Sequence, residues 1–178
     1  MIEGKKDNLL NQHRRSIRMK GYDYSLAGAY FVTMVTFQRA CVFGDIVDGE
    51  MRLNHFGLIV TQTWEWLSKQ YPYIEVDRYI MMPNHFHGIL HIIEMADDCR
   101  GGSRPAPTKI KTLGQLIGAF KTVSAKHINQ IRHTPGSPAW QRNYYEHIIR
   151  NEKEYEEIWN SIDANPKNWV DDQLNHNS

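Results

Sequence analysis

The chain has 178 residues, of which 41% are hydrophobic and 23% are charged, and its formal net charge is +1. No apolar run approaches the roughly 20 residues that a membrane crossing needs, and the polar, basic start of the chain lacks the apolar core of a secretory signal. Two cysteines, Cys41 and Cys99, form neither a disulfide framework nor a zinc-knuckle spacing. We therefore expect one soluble domain over residues 1–178, in a reducing cytoplasm, without membrane contact.

The first half of the chain is dominated by strand-forming residues. In order, the pattern predicts a basic arm over about residues 1–20, a strand over 29–37, a hairpin over 46–53, a helix over 56–68, and strands over 74–82 and 85–93. Asp48-Gly49 lies between apolar flanks, which is a signal for a two-residue hairpin turn. The predicted helix ends at Tyr71-Pro72, because the residue before proline disfavours helical backbone.

The second half contains most of the helical periodicity. It predicts a flexible loop over about residues 95–108, a helix over 112–131, a turn-rich link over 135–138, a short strand over 144–149 and a helix over 152–164. Hairpin-linked strands with segregated helices indicate an α+β sandwich rather than a parallel, doubly wound sheet.

The run Met82-Pro83-Asn84-His85-Phe86-His87-Gly88 is the most informative feature of the chain. On a strand, His85 and His87 point to the same face, and neutral imidazole is a common metal ligand. A metal held there could polarise a phosphate oxygen. The alternative is that the pair are ordinary polar residues on a half-exposed strand.

Two residues at the end of the last predicted helix could complete such a site. Ser161 and Asn165 are four residues apart and share a helix face. An asparagine oxygen is a suitable ligand for Mg²⁺ or Mn²⁺. The alternative for Asn165 is that, lying before Pro166, it only ends the helix.

Positive charge is concentrated in two segments although the net charge is small. The candidates for contacts with a phosphate backbone are Arg14, Arg15, Arg18, Lys121 and Lys126. Local basic faces on a near-neutral protein are typical of contact with a polyanion at one surface. The alternative is that these side chains are simply solvated.

Several longer motifs occur in a fixed order along the chain. They cover residues 13–18, 21–24, 28–33, 43–46, 82–88, 119–121, 140–150 and 165–166. In these segments the chain resembles the REP-associated (RayT-type) branch of the HUH single-tyrosine transposases. The resemblance implies a single transposase-like domain with a ferredoxin-like antiparallel sheet and helices packed on it.

The same resemblance implies a function. It implies an HUH endonuclease that cleaves and joins single-stranded or hairpin DNA during transposition, with Mg²⁺ or Mn²⁺ held by His85, His87 and Asn165. In such enzymes a tyrosine on the last helix attacks the scissile phosphate and forms a 5′-phosphotyrosine link. The partner that the resemblance implies is single-stranded or hairpin DNA. The chain would act as a monomer or a homodimer.

One departure from the family pattern bears on activity. The family reads Tyr-Ile-x-x-Asn-Pro where this chain has Ser161-Ile162-Asp163-Ala164-Asn165-Pro166. A serine hydroxyl reaches less far than a phenol and ionises less readily, so we expect weak or absent cleavage. Whether Ser161 is natural or introduced stays open, as does substitution by the tyrosines at 144, 145 and 155. The alternatives are an inactive DNA-binding regulator derived from a transposase, and a metal-dependent hydrolase of small phosphate esters.

Overall fold

The computed structural model of the chain describes residues 21–94 and 110–175. Its elements are β1 (Gly28–Val35), β2 (Gly44–Val47), β3 (Glu50–Leu53), α1 (His55–Gln70), β4 (Ile74–Met81), β5 (His85–Ile92), α2 (Leu113–Ile131), β6 (Tyr145–Ile149) and α3 (Glu152–Ala164). The strands and helices predicted for this part of the chain are present, with ends that differ by up to two residues. The predicted basic arm (1–20) and the whole of the predicted loop (95–108) lie outside the described residues.

Four strands form one sheet in the order β4-β5-β1-β6, and every neighbouring pair is antiparallel. Because α1 lies between β1 and β4, and α2 between β5 and β6, the chain order is βαββαβ, that of a ferredoxin-like domain. The predicted α+β class is therefore confirmed. The strands β2 and β3 form a separate hairpin, in which Asp48 (φ 54°) and Gly49 (φ 76°) both have the positive φ that a type I′ turn requires.

The hydrophobic core lies between the sheet and the layer formed by α1 and α2. Phe86 of β5 packs against Trp64 of α1 and Phe120 of α2, with ring centroids 4.8 and 5.7 Å away. Gly88 is on the same face, and a Cβ there would lie only 2.7 Å from the Phe86 ring and 2.9 Å from Trp64. Successive strand residues alternate between faces, so His85 and His87 point to the face opposite this core.

Helix α3 packs on that opposite face. Near its start, the Tyr155 hydroxyl donates to Asp77 Oδ2 of β4 over 2.5 Å. Near its end, Arg78 Nε donates to Asp163 Oδ1 over 2.6 Å, and the guanidinium lies 4.4 Å from the centre of the Trp159 ring. These contacts tie α3 to β4 at both ends, which places the residues that follow α3 beside the start of β5.

None of the helices within residues 21–94 and 110–175 has the length and apolar character that crossing a membrane requires.

Candidate metal centre and nucleic-acid interface

The two histidines of the 82–88 motif lie side by side, as the strand prediction requires. Their ring centroids are 4.6 Å apart on β5. His85 is fully buried, whereas His87 is partly exposed, so the pair opens to solvent on the His87 side. The spacing is compatible with two imidazoles that share one ion.

The protonation of His85 follows from its neighbour Asn84, which is also fully buried. The Asn84 Nδ2 group donates to the carbonyl oxygens of Arg39 (3.1 Å) and Leu174 (2.7 Å), which fixes the orientation of the amide. Asn84 Oδ1 then lies 2.8 Å from His85 Nδ1 and can only accept, so Nδ1 carries the proton. His85 Nε2 is therefore a bare acceptor, the form of imidazole that binds metals.

His87 is held in a similar way from the neighbouring strand. Its Nδ1 lies 2.8 Å from the Thr33 hydroxyl of β1, and its ring stacks on Phe31 at 5.5 Å between centroids. When Nδ1 donates its proton to Thr33, Nε2 is available to a ligand. Thr33 was not singled out from the sequence, because its pairing with His87 depends on strand register.

Both histidines are neutral at physiological pH. Burial lowers the pKa of His85 to about 4, whereas a hydrogen bond that the protonated ring would donate to the Asn165 side chain acts in the opposite direction. Burial, followed by repulsion from His85, lowers the pKa of His87 to about 3, although the Asp172 carboxylate raises it. Neutral imidazoles are the state that a metal needs, so no proton has to be displaced near pH 7.

The structure places the side chain of Asn165, the third predicted ligand, beside His85. Asn165 follows directly after α3, and its side chain is close enough to His85 to influence its pKa. Asn165 Oδ1 and His85 Nε2 are both buried, and neither has a hydrogen-bond partner in the described part of the chain. Two unpartnered acceptor atoms, one from a strand and one from a helix end, are a donor set that fits a cation.

The segment after α3 also covers His85, which sequence reasoning missed. The Trp169 ring lies 5.9 Å from the His85 ring, and Asp172 Oδ2 lies 3.7 Å from His85 Nε2. Asp172 Oδ1 accepts from the Leu174 backbone N–H at 2.7 Å, which orients the carboxylate. No motif in the segment signals the contacts of Trp169 and Asp172 with His85, because they join residues more than 80 positions apart.

In the described part of the chain, acidic, histidine and cysteine side chains do not form a metal centre by themselves. Over residues 21–94 and 110–175, no three of them are grouped so that they could hold an ion. A metal at the histidine pair would therefore depend on the Asn165 amide as its third protein ligand. An amide oxygen favours a hard cation such as Mg²⁺ or Mn²⁺.

Ser161 lies one helical turn before Asn165 and is exposed. Of the three tyrosines considered as substitutes, Tyr155 is engaged at the other end of α3, and its bond to Asp77 and its burial raise its pKa to about 12. The Tyr144 ring is partly buried, 5.4 Å from the Lys121 ammonium. Tyr145 is 45% exposed and lies on the same sheet face as His87.

Of the basic candidates, the structure places only Lys121 and Lys126, and both lie away from the histidines. Arg14, Arg15 and Arg18 lie outside the described residues. Lys121 and Lys126 are on α2, which packs on the other face of the sheet. The Lys121 ammonium donates to the carbonyl oxygens of Gln141 (3.0 Å) and Asn143 (2.9 Å), and burial lowers its pKa to about 8. Lys121 therefore fixes the segment before β6, a contact that helix periodicity alone does not reveal.

The fold of this chain is similar to that of a transposase of known structure. It matches the structure of a REP-associated tyrosine transposase bound to a REP hairpin with a TM-score of 0.58 and 18% identity, over 86% of this chain and 73% of that chain. At this identity the likeness shows a common fold. No family model matches the sequence.

A closer relative identifies the family. An uncharacterized protein of Haemophilus influenzae is 40% identical over 172 residues, which cover 91% of this chain and 93% of the relative. The chain belongs to the same family as that protein.

Proposed function

We propose that this chain is a transposase-like protein that binds single-stranded or hairpin DNA at a Mg²⁺ or Mn²⁺ site formed by His85, His87 and Asn165. The observation that carries the proposal is the pair of buried acceptors, His85 Nε2 and Asn165 Oδ1, which lack partners in the described residues. A buried polar atom left unpaired costs about 1–3 kcal/mol, and a bound cation would remove that cost at both atoms. The REP hairpin bound to the transposase of similar fold supports nucleic acid as the ligand.

The residues around the site suit it to the cleavage of a phosphodiester. When bound, the cation would polarise a phosphate oxygen and offset the charge that develops as a phosphodiester is attacked. Asn84 and Thr33 orient the two imidazoles, and burial keeps both imidazoles neutral. The partly exposed His87 marks the side from which a DNA strand would enter.

The position of Ser161 favours a second, related function. Ser161 lies one turn before Asn165, at the position where the resemblance implies a tyrosine nucleophile. A serine side chain is shorter than that of tyrosine, and its hydroxyl is less acidic. We therefore propose that cleavage is weak or absent in this chain. A DNA-binding regulator that retains the metal site of a transposase but lacks its nucleophile is the alternative that Ser161 supports.

An oligonucleotide assay separates these functions. The wild-type chain and Ser161→Tyr are incubated with Mn²⁺ and a labelled hairpin that has single-stranded flanks, and the products are resolved on a denaturing gel. We expect Ser161→Tyr to cleave the flank and form a covalent protein–DNA adduct, and the wild type to bind without an adduct. Ser161→Tyr combined with Asn165→Ala is the matched control, which lacks a proposed metal ligand and should neither cleave the flank nor form an adduct.

Three outcomes would change the assignment. If neither protein cleaves any flank although both bind DNA, the nuclease function is wrong and the regulator stands. A wild-type adduct would exclude the regulator. If binding to DNA is absent or does not weaken with added salt, the nucleic-acid function itself is wrong, because phosphate contacts release counterions.

A further inference from the structure

A row of three aromatic rings extends across the sheet from the histidine pair. His87 of β5 stacks on Phe31 of β1 with centroids 5.5 Å apart and planes 19° apart, and Phe31 meets Tyr145 of β6 edge-on at 6.3 Å. The strand register explains the row, because Thr33 of β1 pairs with both His87 and Tyr145. The three rings are therefore on the same face of the sheet as α3 and the candidate metal site.

The far end of this row is open. Tyr145 is 45% exposed, and Phe31 and His87 are partly exposed. α3 is bonded to Asp77 of β4 through Tyr155 and to His147 of β6 through Glu154, and Tyr145 remains accessible beside these contacts. A molecule bound at the candidate metal site can therefore also contact the exposed Tyr145 ring at the end of this row.

From this arrangement we infer that Phe31 and Tyr145 form a stacking surface for an unpaired nucleobase. The inference rests on the proposed function and specifies its ligand. A nucleotide carries its base on the sugar next to the phosphate, so a strand with a phosphate at His87 brings the adjoining base to the neighbouring rings. Aromatic side chains bind single-stranded DNA in this way, without reading its sequence.

The segment before β6 carries an exposed cation that a nucleotide phosphate can contact. Arg142 is exposed three residues before Tyr145, and the Lys121 ammonium lies beneath the same segment, bonded to the carbonyls of Gln141 and Asn143. These contacts hold the approach to β6 in place. A nucleobase on the rings with its phosphate near Arg142 would match both the apolar and the charged parts of the surface.

The test compares Tyr145→Ala with Tyr145→Phe, which keeps the ring. Affinity is measured by fluorescence anisotropy for a labelled hairpin with a single-stranded flank, and for copies in which one flank nucleotide at a time is abasic. Stacking on one base corresponds to about 1–3 kcal/mol, so Tyr145→Ala should bind the intact DNA about 5- to 150-fold more weakly, and Tyr145→Phe close to wild type. One abasic position should weaken binding of the wild type but not of Tyr145→Ala.

The outcomes separate this inference from the function on which it rests. If the wild type binds the DNA and Tyr145→Ala binds equally tightly, the stacking surface is wrong and the proposed function is unaffected. Additive losses from Tyr145→Ala and from every abasic position would also overturn it, because they indicate no shared contact. If the wild type fails to bind the DNA, both proposals fail. Circular dichroism verifies that each variant is folded.

Discussion

Replacing Asn84 by alanine should damage both the stability of the fold and the metal site. The amide makes three hydrogen bonds in a fully buried position: to the carbonyls of Arg39 and Leu174, and to His85 Nδ1. At about 0.5–1.5 kcal/mol each, their loss should lower the free energy of unfolding by about 1.5–4.5 kcal/mol. Without its acceptor, the His85 ring loses its fixed tautomer and orientation, which should weaken Mn²⁺ binding about 10- to 100-fold.

Two control variants separate these effects. Asn84→Asp keeps an acceptor for His85 but loses both N–H donors, so it should be destabilised while binding Mn²⁺ better than Asn84→Ala does. Asn54→Ala removes the side chain that accepts from Phe56 and Gly57 at the start of α1, and it should lose about 0.5–2 kcal/mol with unchanged Mn²⁺ affinity. Urea denaturation gives the stabilities, and isothermal titration calorimetry gives the affinities. A folded Asn84→Ala protein that binds Mn²⁺ as tightly as the wild type would refute the role given to Asn84.

Three further results are expected. In metal-free protein, the free energy of unfolding should fall as the pH falls from about 6.5 towards 4, because in this range histidines of the unfolded chain bind protons, whereas His85 and His87 in the fold stay neutral; His87→Gln should reduce this slope in urea titrations at several pH values. Gly88→Ala should cost about 1–3 kcal/mol by overpacking, whereas Gly118→Ala, with no atom within 4 Å of the new Cβ, should be neutral or stabilising on urea denaturation. Tyr155→Phe should lower stability by about 1.5–3 kcal/mol, because it removes a hydrogen bond to a carboxylate; an unchanged urea midpoint would contradict that bond.

The sequence predicted those parts of the site that depend on local periodicity. Alternation along β5 correctly placed His85 and His87 on one face, and the helix pattern ended α3 at the residue before Asn165. The turn at Asp48-Gly49 was equally clear, because few residue pairs adopt positive φ twice in succession. Short-range steric rules govern each of these features.

The remaining features depend on contacts between distant segments. The charge of Lys121 indicated an exposed cation, but the loop before β6 crosses over α2 and supplies two carbonyl acceptors. Likewise, Asp172 and Trp169 reach His85 only because the chain turns back after α3. Periodicity identifies the face of an element that packs, but not the loop that covers it.

The most direct test of the metal site is the anomalous scattering from crystals of the wild-type protein grown with Mn²⁺. The geometry predicts one peak within about 2.3 Å of His85 Nε2, His87 Nε2 and Asn165 Oδ1, and its loss in His87→Ala. A peak elsewhere on the protein, or none at saturating Mn²⁺, would contradict the central claim that these three side chains hold a metal.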